Sequence, residues 1–281
     1  MTSHFWLTSS HPKQYADAPD NRLYVRQYGS GQHILIALHG FGRNGGRMER
    51  LGMHLAPHFT TLAPDLPYHG KSEWFNDRYG VEEFTAMLQQ LLDRYQDRRV
   101  FLLGHSLGGR YLSACLPRLE HPQLHDLVLV APDGAGGRYT NWIDTLPQSL
   151  VSPLARLTER PRAILRMSEW LQKRGLINGY SADYLKFNLN NRPFRRRLAG
   201  TLRSVLRFPP APASFERALH QRGIRCTVLV GDKDPLLHHD RLTKMYEPLP
   251  SVDVQRYQGS HWLPERLLAE YYLDSLVAVL P

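Results

Sequence analysis

A serine flanked by glycines lies at the centre of the segment Gly104-His105-Ser106-Leu107-Gly108-Gly109. The segment follows a short apolar run and precedes a helical pattern, which predicts that the serine lies on a sharp turn between a strand and a helix. Glycine at 104 and 108 lets strand and helix approach closely, and the turn raises the hydroxyl above the sheet. The free N–H groups and positive dipole end of the helix face the same point. The segment therefore predicts a nucleophilic serine.

A serine hydroxyl is a weak nucleophile, so it needs a base, and the base needs a carboxylate that orients it. Asp234 and His261 each follow a predicted strand, and they come after Ser106 in the order serine, acid, histidine. Because the carboxyl ends of parallel strands meet at one edge of a sheet, the two side chains are expected to lie close to the serine. The predicted catalytic residues are Ser106, Asp234 and His261.

Two other aspartates remain open as the acid. Asp232 lies two residues before Asp234 and is suited to capping the turn after the strand. Asp133 ends the preceding predicted strand, which is a rarer position for the acid. Asp234 is preferred because its position in the loop suits a side chain that extends toward the histidine.

Acyl transfer also needs N–H donors for the negative charge that develops on the carbonyl oxygen. The backbone N–H of Leu107, directly after the serine, is one predicted donor. The other is the N–H of Phe41, in the loop His39-Gly40-Phe41-Gly42 that follows a predicted strand. His39 can at the same time be a structural histidine of a tight turn. Three residues are predicted to line the substrate pocket: Gly40, Tyr68 and Trp262.

Alternating strand and helix patterns position these residues. Short apolar runs such as His33–Leu38 are typical of strands that are buried on both faces of a parallel sheet, and Val81–Tyr95 has the apolar spacing of a helix. The segment 134–213 interrupts the alternation with helical patterns only. We therefore predict a core formed by 1–133 and 214–281, with a helical cap over the carboxyl edge of the sheet.

The excess of positive over negative charge in the chain lies in that cap. The formal net charge is +9, and residues 134–215 contain 14 Lys and Arg against 4 Asp and Glu. These cations could bind an anionic acyl substrate, an acyl carrier or, weakly, an anionic membrane surface. A solvated outer face of the cap helices explains the same charges. No motif supports nucleic-acid binding. The cations considered are Arg156, Arg160, Arg162, Arg166, Lys173, Arg174 and Arg195-Arg196-Arg197.

Composition indicates a chain that folds rather than one that stays disordered. Hydrophobic residues make up 42% of the chain, and no apolar run approaches the roughly 18 residues of a membrane span. The amino terminus shows no signal-peptide pattern. Cys115 falls in a predicted helix and Cys226 in a predicted strand, which favours buried thiols over a disulfide or a metal site. A cytoplasmic setting is expected, and the oligomeric state is open.

These motifs resemble the α/β-hydrolase superfamily, in the branch with His-Gly-Phe-Gly at 39–42 and Gly-His-Ser-Leu-Gly-Gly at 104–109. The segment 64–72 is similar to the family's D-x-P-G-H-G-x-S loop, except that Tyr68 replaces the usual glycine. The resemblance implies the α/β-hydrolase fold, a mostly parallel eight-stranded sheet with helices on both faces and a helical cap inserted after the sixth core strand. It covers nearly the whole chain except the cap.

The resemblance implies a serine hydrolase that cleaves an ester or thioester through an acyl-enzyme, with no metal or organic cofactor. Ser106 argues against dehalogenases and epoxide hydrolases of this fold, which carry aspartate there. Haloperoxidases, C–C bond hydrolases and a menaquinone-pathway lyase share the same catalytic residues and remain open. The lyase often has G-G-R after its serine, matched by Gly108-Gly109-Arg110, although Arg110 also suits an ordinary helix surface. A non-catalytic binding protein is the other class, which an incomplete catalytic set would favour.

Overall fold

The computed structural model describes residues 2–134, 150, 153, 155–156, 161–174, 190–211, 213–237, 239–261 and 264–277. Within these residues, eight strands form one sheet in the order β1-β2-β4-β3-β5-β6-β7-β8. The pairs β1–β2 and β2–β4 are antiparallel, and every other pair in the sheet is parallel. The strands are β1 (Thr2–Thr8), β2 (Arg22–Tyr28), β3 (His33–Leu38), β4 (Phe59–Pro64), β5 (Val100–His105), β6 (Leu124–Val130), β7 (Arg225–Gly231) and β8 (Val252–Tyr257).

Helices pack against the sheet, as the resemblance implies. Helix α1 packs against α8 and α2 packs against α3, so the central strands β4 and β5 are buried along their whole length. The α-helices in the described part of the chain are α1 (Glu49–Leu55), α2 (Val81–Asp93), α3 (Leu107–Cys115), α4 (Pro161–Lys173), α5 (Arg192–Val205), α6 (Ala213–Arg222), α7 (His239–Tyr246) and α8 (Glu265–Val277).

Apolar periodicity predicted most of these elements because the strands and helices are buried as the pattern implies. The strand His33–Leu38 is observed with the predicted bounds, and the predicted helix Val81–Tyr95 ends two residues earlier, at Asp93. Residues 45–55 form two successive helical elements. A 3₁₀ turn over Gly45–Met48 precedes α1, and the Asn44 side chain caps the turn by accepting from the N–H of Gly46.

The sequence did not predict strand β1. It lies at the sheet edge and pairs with β2 alone, and of its side chains only Leu7 is fully buried. Its other contacts are on the surface, where the Arg22 guanidinium lies 4.3 Å from the centre of the Trp6 ring and His4 stacks on Tyr24. An edge strand with one buried side chain leaves little apolar pattern to detect.

The helical insertion follows the sixth strand, as predicted. Helices α4 and α5 lie between β6 and α6, and α5 packs on the loop before α2. The Ser204 hydroxyl of α5 accepts from the N–H of Tyr79 at 3.1 Å, and Arg196 donates to the carbonyl of Trp74 at 2.7 Å. The cap boundaries 134–213 remain our proposal, since part of that range lies outside the described residues.

The two cysteines are buried and free, as predicted. Cys115 lies in α3 and Cys226 in β7. Burial raises the pKa of the Cys115 thiol to about 12, so it stays protonated near neutral pH. Among the helices that the structure describes, none combines the length and the hydropathy that a membrane span needs.

Candidate active site

Ser106 occupies a strained turn between β5 and α3. Its φ of 51° and ψ of −116° lie where a residue with a Cβ is rarely found. The surrounding backbone holds it there, because its N–H donates to the carbonyl of Val130 at 2.9 Å. Its own carbonyl accepts from the N–H groups of Gly109, Asp133 and Arg110 at 2.9, 3.1 and 3.2 Å. This geometry is the turn that the sequence predicted.

Two glycines make the turn sterically feasible. A Cβ on Gly104 would lie 2.5 Å from the Cα of Gly109, and a Cβ on Gly108 would lie 2.5 Å from the carbonyl oxygen of Leu38. Both contacts involve backbone atoms that cannot move aside. Strand β5, helix α3 and strand β3 therefore meet more closely than any larger residue allows.

His261 and Asp234 form a hydrogen-bonded pair at the carboxyl ends of β8 and β7. The distance between His261 Nδ1 and Asp234 Oδ2 is 2.8 Å, and the Asp234 side chain is only 1% exposed. The other carboxylate oxygen accepts from the N–H groups of Leu236 and Leu237 at 2.8 and 2.9 Å. Burial favours the neutral acid, but the bonds from His261 and these amides outweigh it and lower the pKa of Asp234.

The two alternative acids make different contacts. Asp232 accepts from the N–H of Gly259 at 2.9 Å and donates its own N–H to the carbonyl of Tyr257 at 3.1 Å, so it joins the loops after β7 and β8. The Asp133 carboxylate lies 3.6 Å from the Arg110 guanidinium. The structure thus brings His261 together with Asp234 and assigns the other two to bridging contacts.

His105 links the serine turn to the histidine loop. Its Nε2 lies 2.8 Å from the backbone carbonyl oxygen of His261, and the two ring centres are 5.2 Å apart. Because a carbonyl only accepts, His105 must carry its proton on Nε2. Burial and the neighbouring His261 lower the pKa of His105 to about 4, so it is neutral near pH 7. Sequence reasoning missed this contact, although His105 lies inside the serine motif.

The loop after β3 passes directly against Ser106. A Cβ on Gly40 would lie 3.1 Å from the Cβ of Ser106 and 3.2 Å from Nδ1 of His105. The buried His39 fixes this loop, since its Nδ1 donates to the carbonyl of Gly40 at 2.8 Å and its Nε2 accepts from the N–H of Leu66 at 3.0 Å. His39 is therefore a structural histidine, and Gly40 provides the space beside the serine.

Phe41 lies between the core and α5. Its ring makes edge contacts with His69 and with Phe194 of α5, at centroid distances of 5.5 and 6.1 Å. The predicted N–H donors, on Phe41 and on Leu107 at the start of α3, therefore come from the two segments that border Ser106. Their role toward a substrate oxygen remains our proposal.

Tyr68, the residue that replaces the usual glycine, adopts a φ of 65°. Its hydroxyl donates to the carbonyl of Asn76 at 2.7 Å, and its ring packs on Gly200 of α5. Bulk at this position thus contacts the insertion. Trp262, the third predicted pocket residue, lies outside the described residues.

Asp65 organises the segment 64–72, which also contains Tyr68. Its carboxylate is fully buried and accepts from the N–H groups of Gly45 and Lys71, both at 2.7 Å, and from the Arg26 guanidinium at 3.1 Å. The segment that resembles the family loop therefore acts here as a scaffold for the edge of the sheet. Its hydrogen bonds give the loop one conformation beside the serine.

The prediction that Arg110 lies on a helix surface was wrong. Arg110 is 3% exposed, and its Nε donates to the carbonyl of Phe208 at 2.8 Å. The guanidinium also lies 3.6 Å from Asp133. It is buried because it joins α3 to the segment that leaves α5, a long-range contact that helical spacing does not reveal.

The cations of the insertion that precede α5 are exposed wherever the structure describes them: Arg156, Arg162, Arg166, Lys173 and Arg174. Within α5, Arg196 is exposed, while Arg195 and Arg197 are half-buried. Arg160 lies outside the described residues. The exposed set fits a solvated outer face, whereas half-buried arginines occur in α5 and directly after it, at Arg207.

Comparison with known proteins places this site in a family. A model of the alpha/beta hydrolase family matches residues 35–271. Over 137 residues the chain is 35% identical to lipase LipV of Mycobacterium tuberculosis, a match that covers 47% of this chain and 49% of LipV. Over 140 residues it is 31% identical to a pimeloyl-[acyl-carrier protein] methyl ester esterase of Klebsiella pneumoniae, covering 50% of this chain and 52% of the esterase. The chain thus spans about half the length of these curated relatives.

Among solved structures, a thermophilic esterase from Thermogutta terrifontis has the same fold. The TM-score is 0.66 at 18% identity, and the match covers 99% of both chains. At that identity the similarity concerns the fold alone. The family model, in contrast, extends from β3 into α8 and so includes most of the chain. The chain belongs to the alpha/beta hydrolase family.

Proposed function

We propose that the protein is a serine hydrolase that cleaves a carboxylic ester or thioester through an acyl-enzyme intermediate. The observation that carries the proposal is the 2.8 Å pair of His261 and Asp234, joined through His105 to the strained turn of Ser106. A nucleophile, a base and an orienting carboxylate on one sheet edge are the parts that acyl transfer needs.

The proposed reaction begins with attack of the Ser106 hydroxyl oxygen on the carbonyl carbon. Because Nδ1 of His261 donates to Asp234, Nε2 is left to accept the serine proton, and the carboxylate stabilises the resulting cation. The N–H groups of Phe41 and Leu107 are the proposed donors to the oxyanion. His261 then protonates the leaving group, and a water that it deprotonates releases the acyl group from the serine.

Two relatives support ester cleavage over the other reactions of this fold. One is named a lipase and the other a methyl ester esterase, and both share sequence with this chain over about half its length. The lyase alternative depended on the match Gly108-Gly109-Arg110, and Arg110 is engaged with the backbone of Phe208. We therefore prefer the ester or thioester reaction to C–C bond cleavage or elimination.

The charge of the insertion supports a finer proposal, that the small-molecule acyl substrate is anionic. Residues 134–215 carry 14 Lys and Arg against 4 Asp and Glu, which raises the local concentration of anions at low salt. An ester with a terminal carboxylate should then have a higher kcat/KM than a neutral ester of equal length. Added salt should shrink the difference, and equal rates at every salt concentration would remove this finer proposal.

The function itself is tested with p-nitrophenyl esters of increasing acyl length beside acyl-CoA thioesters. The native chain and Ser3→Ala, a change on the exposed face of β1, should hydrolyse at least one ester series with the same rate. Ser106→Ala should reduce kcat by roughly 10³-fold or more. Equal activity of Ser106→Ala and Ser3→Ala would contradict the proposed nucleophile.

A further inference from the structure

A surface cleft lies between α5 and the loop at 68–77. It consists of two adjoining hollows of about 370 and 570 Å³, which share Tyr68, Phe75, Arg192 and Arg196 as lining residues. We name it the arginine cleft. Its first hollow is also lined by Asn76, Asp77, Arg195, Ala199, Gly200 and Arg203. Its second hollow is also lined by Ser72, Glu73, Trp74 and Pro193.

Positive charge dominates the arginine cleft. Its four arginines recur at the spacing of one helix face, and the small residues Ala199 and Gly200 leave room between them. Two carboxylates line the opposite wall. Glu73 is paired with Arg22 at 2.7 Å, and Asp77 accepts from Gln14 and Tyr15, so both carboxylates are engaged by residues outside the cleft.

One arginine is held in place before any ligand arrives. Nη2 of Arg196 donates to the carbonyl of Trp74 at 2.7 Å, and the guanidinium carbon lies 5.8 Å from the centre of the Phe75 ring. A guanidinium carries five N–H donors, and this bond uses one. Arg196 thus stands at the boundary of the two hollows with its orientation fixed, which reduces the entropy that binding must overcome.

An aromatic surface lies beside the cations in both hollows. Phe75 and the side chain of Tyr68 border both hollows, and Tyr68 is fixed by its hydrogen bond to Asn76 and by packing on Gly200. A ligand that fills both hollows therefore needs an anionic group and a flat or apolar group next to each other. A single carboxylate would offset one cation, whereas a phosphomonoester carries about −1.5 to −2 charges and three acceptor oxygens.

We infer that the arginine cleft binds a phosphomonoester attached to an aromatic or apolar group. Ser106, Asp234 and His261 are not among the described lining residues of the cleft, although Tyr68, a predicted pocket residue, is. The inference concerns binding alone and does not depend on the proposed function. The phosphomonoester can belong to a soluble compound or to the head group of a lipid, since both present the same chemistry.

Calorimetric titration of the full chain with phenyl phosphate tests the inference, with benzoate, inorganic phosphate and benzyl alcohol as comparison ligands. Phenyl phosphate should bind with at least about tenfold higher affinity than each of the three, because it alone supplies both the dianion and the ring. Binding of benzoate or benzyl alcohol as tight as that of phenyl phosphate overturns the inference, as does the lack of saturable binding.

Variants locate the binding. Arg192→Gln/Arg196→Gln, and separately the single exposed change Arg192→Glu, should weaken phenyl phosphate binding by about tenfold or more. The matched control Arg162→Gln/Arg166→Gln removes the same charge from exposed positions of α4 and should bind as the native chain does. Unchanged affinity in the α5 variants, or an equal loss in the α4 control, overturns the site. A lipid head group is identified as the source of the phosphate if the chain sediments with phosphatidate vesicles but not with phosphatidylcholine vesicles. The Arg192→Glu variant should then no longer sediment with phosphatidate vesicles.

Discussion

The imidazole of His105 holds the backbone carbonyl of His261 at 2.8 Å, so the residue before the proposed nucleophile fixes the residue proposed as its base. The two residues are 156 positions apart in the chain. Strand β5 ends at His105 and β8 ends four residues before His261, which explains how the sheet brings the two loops together. This contact gives the proposed base a second constraint besides Asp234.

Removal of that bond should lower kcat more than it changes KM. In His105→Leu the carbonyl of His261 loses its buried donor, a cost of about 1–3 kcal/mol that the loop can relieve by moving the imidazole. In His105→Gln the side-chain amide can still donate to the carbonyl, so kcat should recover most of the loss. Steady-state kinetics on a p-nitrophenyl ester measures both variants. Equal kcat for Leu and Gln at position 105 would show that the bond does not position His261.

Acid should destabilise the protein through the same histidine. The pKa of His105 is lowered from its ordinary value near 6.5 to about 4 in the folded state. Between these pH values the unfolded chain binds the proton and the folded chain does not, so stability is lost as pH falls from 6.5 to 4. For His105 the loss amounts to about 3 kcal/mol. His69, with a pKa lowered to about 3 by burial, acts in the same direction.

Urea unfolding at pH 7 and pH 4.5 measures this effect, with His105→Gln as the control. The native chain should lose more stability between the two pH values than the variant, which has no imidazole at 105. Glu83 has the opposite sign, since burial raises its pKa to about 7, but it is present in both proteins and cancels in the comparison. The same pH dependence in both proteins would contradict the burial of a neutral His105.

An Asp→Asn change at each of three aspartates shows which of them is the catalytic acid. Asp234→Asn replaces the acceptor of the His261 Nδ1–H with an amide, which disfavours the tautomer that the base needs, and kcat should fall by roughly 10³–10⁴-fold. Asp232→Asn and Asp133→Asn alter bridging contacts and should lower kcat by less than about tenfold. The kcat values of the three purified variants decide between them. A larger loss of kcat for Asp232→Asn or Asp133→Asn than for Asp234→Asn would assign the role of the acid to that other aspartate.

Tyr68 and Gly200 should be energetically coupled. Alanine in place of glycine inside a helix ordinarily stabilises by up to about 1 kcal/mol. Here the added Cβ would lie 2.3 Å from the Tyr68 ring, so Gly200→Ala should instead destabilise by about 1–3 kcal/mol. In the Tyr68→Gly background the ring is gone, and Gly200→Ala should be neutral or stabilising. Urea unfolding of the native chain, the two single variants and the double variant gives the coupling free energy. Additive changes in the free energy of unfolding would contradict the packing of the Tyr68 ring on Gly200.

The sequence predicted the parts of the fold that repeat an apolar pattern and missed the parts that depend on long-range contacts. Strand β3 had the right bounds because six successive residues are apolar or tolerate burial, while β1 shows almost no such pattern. The positions of Asp234 and His261 followed from their place after two predicted strands, the buried β7 and the partly exposed β8. The burial of Arg110 was not predicted because its partner, the carbonyl of Phe208, is 98 residues away in the chain.

The same limit applies to the arginines. Their excess between 134 and 215 is visible in the sequence, but the sequence does not show which of them share a concave surface. That selection depends on α5 packing against the loop at 68–77, which Tyr68 and Gly200 set through their contact. Local patterns therefore predicted the charge of the insertion, and only the fold locates the cleft.

The central claim is that Ser106 is a nucleophile activated by His261. Its most direct test is covalent labelling with a fluorophosphonate, followed by intact mass measurement and peptide mapping. We expect one adduct on the native chain, mapped to Ser106, together with loss of labelling in Ser106→Ala and retention in Ser3→Ala. A native chain that takes up no label, or an adduct that persists in Ser106→Ala, would contradict it.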